Sequence, residues 1–130
     1  MENKKLLIID DDLDILKSLK VILEDQGFIV NTASNKSEGL TLFSSQKPDL
    51  LILDIMMEND LEGYGMLNDF RKDDSLVNVP IIMYSGMAQK IGVNFRSAIE
   101  DPEMFPNVSF VDKREDVQDL ILEVKKVLQM

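Results

Sequence analysis

Four short apolar runs in this chain lead into residues that can do chemistry. Leu6-Leu7-Ile8-Ile9 runs into Asp10-Asp11-Asp12, and Leu50-Leu51-Ile52-Leu53 runs into Asp54. Pro80-Ile81-Ile82-Met83-Tyr84 ends at Ser85-Gly86, and Val108-Ser109-Phe110-Val111 passes through Asp112 to Lys113. As parallel neighbours in one sheet, these runs bring carboxylates, a hydroxyl and an ammonium to one rim, where open α/β sheets carry their sites. Carboxylates gathered from two adjacent strands repel one another unless a cation joins them. A few carboxylates plus water suit Mg²⁺. With Ser85 and Lys113, such an ion would balance the charge on the equatorial oxygens of a transferring phosphoryl group. The set points to metal-dependent phosphoryl chemistry on an aspartate.

Taken singly, the same residues have plain structural readings. Asp12 fits the N-cap of a following helix, but one cap does not account for three acids in a row. Ser85-Gly86 is also a common turn dipeptide. Phe110 is most simply a core residue of its strand, and Lys113 opens a charged stretch. Glu58, Asp60 and Glu62 read as a solvated acidic loop, and the eight methionines as core filler.

The elements that must position these groups alternate along the chain. Residues 5–9 predict a strand apolar throughout, as expected when both sheet faces are covered. Leu13, Ile15, Leu16, Leu19, Ile22 and Leu23 form a helical stripe ended by Gly27. Phe28-Ile29-Val30 predicts a second strand. Asn35 and Glu38 predict a capping box for a helix through Leu40 and Phe43. A third strand at 50–53 precedes a helix beginning after Gly63-Tyr64-Gly65 and including Met66, Leu67 and Phe70. A fourth strand starts at Pro80, where a missing N–H does little harm. In 87–106, Ile91, Phe95 and Ile99 are spaced by fours, but Gly92, Pro102 and Pro106 interrupt them. A fifth strand at 108–111 leads to a last helix, with Asp112 and Glu115 as its capping pair and an apolar stripe of Val117, Leu120, Ile121, Val124, Val127 and Leu128. The pattern is (βα)₅, and right-handed crossovers favour a doubly wound five-stranded sheet.

Composition narrows the function classes. At 130 residues, with 45% hydrophobic and 29% charged residues, the chain predicts one globular domain over residues 1–130. No apolar run approaches the roughly 18–20 residues of a membrane span, and only four apolar residues follow Lys4-Lys5 before the aspartates, too few for a secretory signal. A cytoplasmic location is expected, without a membrane partner. Without cysteine or histidine, the chain has no disulfide, no thiolate or histidine zinc site, no Ser-His-Asp scheme and no phosphohistidine of its own. A net charge of −10 argues against direct nucleic-acid binding.

In order, Ile8-Ile9-Asp10-Asp11-Asp12, Pro48 to Met57, Pro80 to Gly86 and Phe110-Val111-Asp112-Lys113 resemble the four signature segments of the response-regulator receiver domain, the phosphoacceptor module of two-component signalling. The resemblance covers essentially the whole chain. It implies a flavodoxin-like (βα)₅ three-layer sandwich with strand order 2-1-3-4-5. It also implies that Asp54 accepts phosphate from a histidine kinase or phosphotransfer protein and so switches binding to an output partner, the chain being a monomer or weak dimer. By the same resemblance, Asp11, Asp54 and the backbone carbonyl of Met56 hold Mg²⁺, with Asp10 acting mainly through water. Ser85 matches the switch hydroxyl, Lys113 the phosphate-pairing lysine and Phe110 the aromatic whose rotamer reports activation. Met56 and Met87 match the positions that flank the hydrolytic water and set the lifetime of the acyl phosphate.

The chain also departs from that family. Glu58 stands where proline is usual, the loop to Gly63 is one residue longer, Arg114 replaces the proline after Lys113, and extra residues separate Ser85 from Lys113. These predict a trans Lys113-Arg114 peptide and a short or distorted helix within 87–106. Two rival functions fit some of the same residues. One is a haloacid-dehalogenase-type phosphatase with Asp10 as nucleophile, which leaves Asp54 without a role. The other is a degenerate receiver that works by docking alone.

Overall fold

A computed structural model of the chain describes residues 3–53, 79–85, 107–113 and 116–129, with Ser85 and Phe110 described by their backbone. Strand β1 (Lys5–Ile9) has Leu6, Leu7, Ile8 and Ile9 all buried, because elements cover both of its faces. Helix α1 (Leu13–Asp25) starts at Asp12, whose side chain accepts the N–H groups of Asp14 at 3.0 Å and Ile15 at 3.3 Å. It buries Leu16, Leu19 and Leu23. Leu13 was expected in that stripe but is 59% exposed, since it lies in the first turn beyond the packed face. The helix ends at Gln26, and Gly27 takes a φ of +96°, a conformation open to glycine without strain.

Strand β2 is Ile29–Ala33, one residue later in its start and longer than Phe28-Ile29-Val30. The Ile29 N–H finds the Lys4 carbonyl at 2.9 Å, and pairing then continues to Ile9↔Ala33, while Phe28 turns into the core. Helix α2 (Lys36–Gln46) is capped by Asn35, which accepts the Glu38 N–H at 2.9 Å. Strands β3 (Leu50–Leu53), β4 (Ile81–Ser85) and β5 (Val108–Asp112) follow. Proline 80 precedes β4 rather than opening it, and its carbonyl accepts the Leu51 N–H at 3.0 Å.

The final described helix, α3 (Val117–Val127), is capped by Asp116, which accepts the Gln118 N–H at 2.9 Å. This corrects the expected Asp112 and Glu115 pair. Asp112 is instead the last residue of β5, paired in register with Ser85. The apolar stripe of α3 is as expected, with Leu120, Ile121 and Val124 buried and Val117, Val127 and Leu128 packed around them.

The sheet is parallel throughout, in the order β2-β1-β3-β4-β5. Leu6, Ile8, Leu50, Ile52, Ile82, Tyr84 and Val111 point to one face, where α1 and α3 supply Leu16, Leu19, Leu23, Leu120, Ile121 and Val124. Leu7, Ile9, Leu51, Leu53, Ile81 and Met83 face the other way and are fully buried, on the side where α2 packs with Phe43. This is the flavodoxin-like arrangement expected from the sequence. No helix among the described residues is long and apolar enough to cross a membrane. The expected helix after Gly65, the segment 87–106 and the Lys113-Arg114 peptide lie outside the described residues.

Candidate functional site

Parallel strands in this order end on a common rim, and β1 delivers its acids there. The Asp10 N–H bonds the Ala33 carbonyl at 3.1 Å, extending the β1–β2 ladder by one residue. Its side chain is therefore held by the sheet, and Asp10 is 2% exposed, the buried charged residue of the described core. Both carboxylate oxygens are engaged. Oδ1 accepts the Asp12 N–H at 2.9 Å, and Oδ2 meets the Lys113 ammonium at 2.5 Å. A buried carboxylate needs such partners, because desolvation otherwise penalises its charge heavily. Asp11, the next residue, is exposed.

The reach of Lys113 is informative. Strands β3 and β4 stand between β1 and β5 in the sheet, so the ammonium must cross the carboxyl ends of both to meet Asp10. Its side chain is 16% exposed there. The β1–β3 register pairs Ile9 with Leu53, the residues immediately before Asp10 and Asp54. Asp54 itself, with Met56 and Met87, lies outside the described residues. Ser85 and Phe110 are placed by backbone alone: Ser85 pairs with Asp112, next to Lys113, and Phe110 pairs with Met83. The structure thus brings together Asp10, Asp11, Lys113 and the backbone of Ser85. Among the described residues no three acidic side chains form a cluster able to hold a metal ion; the third acid of the expected set, Asp54, is not one of them.

Two features were not found from sequence. The first is the Asp10–Lys113 pair, which joins residues over a hundred positions apart on non-adjacent strands and leaves no local signal. The second is Tyr84, 7% exposed on β4, paired in register with Val111. Burial pushes its phenol above the usual tyrosine value; the Lys113 ammonium opposes that rise, and the Asp10 and Asp112 carboxylates add to it. A signal was available for Tyr84. Period-2 alternation puts it on the same sheet face as Lys113, and a tyrosine hydroxyl in a core strand asks for a partner.

The chain matches the model of the response regulator receiver domain over residues 6–125. Among curated relatives, the protein named probable transcriptional regulator ycf27 of Guillardia theta is 45% identical over 84 residues, covering 65% of this chain and 32% of that protein. The chain therefore spans about a third of the length of such relatives. Among solved structures, a CheY-like response regulator receiver domain protein from Methanospirillum hungatei superposes with a TM-score of 0.81 at 28% identity, covering 98% of this chain and 95% of that one. The chemotaxis protein CheY4 of Vibrio cholerae shares the fold, with a TM-score of 0.83 at 20% identity over 97% of this chain and 99% of that one. The phosphatase alternative with Asp10 as nucleophile gains no support, since both oxygens of that buried carboxylate are already engaged. From its matched segments, its sheet order and the acid–lysine rim, this chain belongs to the response regulator receiver domain family, the phosphoacceptor modules of two-component signalling.

Proposed function

We propose that Asp54 is the phosphoacceptor of this receiver and that residues 1–130 act as one such domain. The observation that carries this reading is the Asp10–Lys113 contact, made across the end of β3, the strand that leads by one peptide bond into Asp54. A carboxylate oxygen of Asp54 attacks the phosphorus of a phosphohistidine on a kinase or phosphotransfer protein. The new O–P bond forms as the P–N bond breaks, and the electron pair stays on the imidazole nitrogen, which then takes a proton. Lys113 exchanges the Asp10 carboxylate for the incoming phosphoryl oxygens. The Ser85 hydroxyl donates a hydrogen bond to them, and Phe110 follows that movement.

The donor set suits a hard divalent cation such as Mg²⁺. Asp11, exposed at the end of β1, Asp54 and the Met56 carbonyl would be the direct ligands. Asp10, buried and engaged by Lys113 and the Asp12 N–H, suits contact through water. When bound, the ion supplies positive charge to the transferring phosphoryl oxygens. The chain acts on itself: it catalyses its own phosphorylation and dephosphorylation and turns over no outside substrate. Its net charge of −10 fits a cytoplasmic protein partner for this domain rather than direct contact with nucleic acid. Met56 and Met87 match the positions that in this family flank the path of the hydrolytic water and, as weak acceptors, would lengthen the life of phospho-Asp54.

The test is intact mass after incubation with acetyl phosphate and Mg²⁺. Wild type gains one phosphate, while EDTA-treated protein and Asp54→Asn gain none. Equal labelling of Asp54→Asn refutes the assignment.

A further inference from the structure

The sheet ends at β2, and that strand brings no device of its own to close its edge. It pairs with β1 alone. The Ile29 N–H reaches the Lys4 carbonyl and the Asp10 N–H reaches the Ala33 carbonyl, so residues 29, 31 and 33 turn their backbone groups to β1. The alternate residues, Val30 and Thr32, turn theirs away from it. An edge of this kind accepts a strand from another chain unless a charge, a proline or a bulge blocks it. From Gly27 to Asn35 the sequence carries neither a charged residue nor a proline. The stretch from Phe28 to Ala33 is uncharged and mostly apolar, the composition that pairs readily with a copy of itself.

The cover comes from α1. The Lys20 ammonium donates to the Val30 carbonyl at 2.9 Å and to Glu24 Oε2 at 3.0 Å. Val30 is 3% exposed with the ammonium in place. Support of its own helix is a minor use for this lysine. Both members of the Lys20–Glu24 pair are nearly half exposed, which leaves such a pair worth little. A lysine four residues before a glutamate is also the weaker orientation on a helix. Lys20 instead reaches off α1 and occupies an acceptor that the β1 ladder does not use.

We propose that this is an autoinhibitory contact against self-association: Lys20, steadied by Glu24, caps the Val30 carbonyl and keeps β2 from pairing with β2 of a second copy of the chain. An antiparallel pair centred on Asn31 sets Val30 of one copy opposite Thr32 of the other, and every outward N–H and carbonyl of these residues finds a partner. That arrangement needs the Val30 carbonyl. By two-fold symmetry the second copy brings its own Lys20, so both ammonium groups must leave before the strands meet. Lys20, Glu24, Val30 and Thr32 take no part in the phosphoacceptor chemistry, so the contact stands or falls apart from it.

Light scattering after size exclusion, over a range of concentrations of the whole chain, tests this. Lys20→Met keeps the stem and removes the ammonium, and its mass climbs with concentration to twice the wild-type mass or more. Lys20→Arg keeps a cation able to donate to Val30 and stays at the wild-type mass. Lys17→Met removes an exposed charge from the same helix and stays there too. Adding Thr32→Pro to Lys20→Met takes away an outward N–H, which an edge strand tolerates, and restores the wild-type mass.

Lys20→Met at the wild-type mass throughout overturns the proposal. So does a doubling that Thr32→Pro fails to reverse, or that Lys17→Met or Lys20→Arg shares. Circular dichroism checks the fold of each variant. If the proline variant does not fold, Lys20→Arg against Lys20→Met decides. A Lys20→Met chain that does not fold assigns the ammonium to stability rather than to the edge, and that result also overturns the proposal.

Discussion

Lys113→Met in metal-free buffer isolates the energetic role of the rim. The substitution keeps most of the side-chain volume and removes the ammonium from Asp10, which is 2% exposed. Breaking a buried ion pair from one side costs about 3–5 kcal/mol. Two features lower that figure here. Lys113 is 16% exposed, so water approaches the pair, and Asp10 keeps the Asp12 N–H at 2.9 Å. A loss of about 2–3 kcal/mol is therefore expected at neutral pH. Unfolding entropy of about 2.1 cal/mol/K per residue gives about 0.27 kcal/mol/K over 130 residues, so Tm falls by about 7–11 °C.

The pH dependence of that loss has a definite sign. Acid protonates the Asp10 carboxyl, and a neutral carboxyl no longer needs the ammonium. The destabilisation is therefore largest at neutral pH and fades as pH falls toward about 4. Adding Asp10→Asn removes the charge that Lys113 balanced and keeps an oxygen for the Asp12 N–H, so the double variant recovers most of the lost stability. Differential scanning calorimetry across pH reads all of this. A drop of less than about 2 °C at pH 7, or a loss that grows on acidification, refutes the reasoning.

Two further outcomes are expected, the first from the cap of α1 and the second from the match of Met56 and Met87 to the family's lifetime-setting positions. Asp12→Ala removes the acceptor of the Asp14 and Ile15 N–H groups and costs about 1 kcal/mol, or about 4 °C in Tm, while Asp12→Asn stays near wild type and both label normally; calorimetry and intact mass check this. Met56→Asn with Met87→Glu shortens the life of phospho-Asp54 after donor removal, because polar side chains hold water in line with the phosphorus; decay as slow as wild type denies the methionines that role.

Much of the fold was legible because burial on both sheet faces leaves a plain signature. The run Leu50 to Leu53 is apolar without alternation, and the strand occupies those four positions. Boundaries set by long-range pairing were not legible. β2 extends through Asn31 and Ala33, residue types depleted in strands, because β1 offers them a ladder. The capping pair of α3 was misplaced for the same reason: Asp112 has the right type for a cap, but pairing with Ser85 claims it for β5 and leaves the cap to Asp116. At the site, Asp10, Asp11 and Lys113 were legible as types at strand ends. Their pairing was not, since which carboxylate a lysine meets depends on sheet order and side-chain reach.

The division of labour at Asp10 has a consequence for hydrogen exchange. The amide of Asp12 belongs to an exposed residue at the N-cap, outside the helical ladder, and its bond to Oδ1 of Asp10 is what withholds it from solvent deuterium. The other oxygen of that carboxylate holds Lys113. Any event that draws Lys113 away shifts the carboxylate's remaining hydrogen bonding, and with it the rate at which one backbone proton is traded for a deuteron. The exchange rate at residue 12 is therefore a local gauge of what the lysine at the far side of the sheet is holding, readable by mass spectrometry without a label or a reporter group.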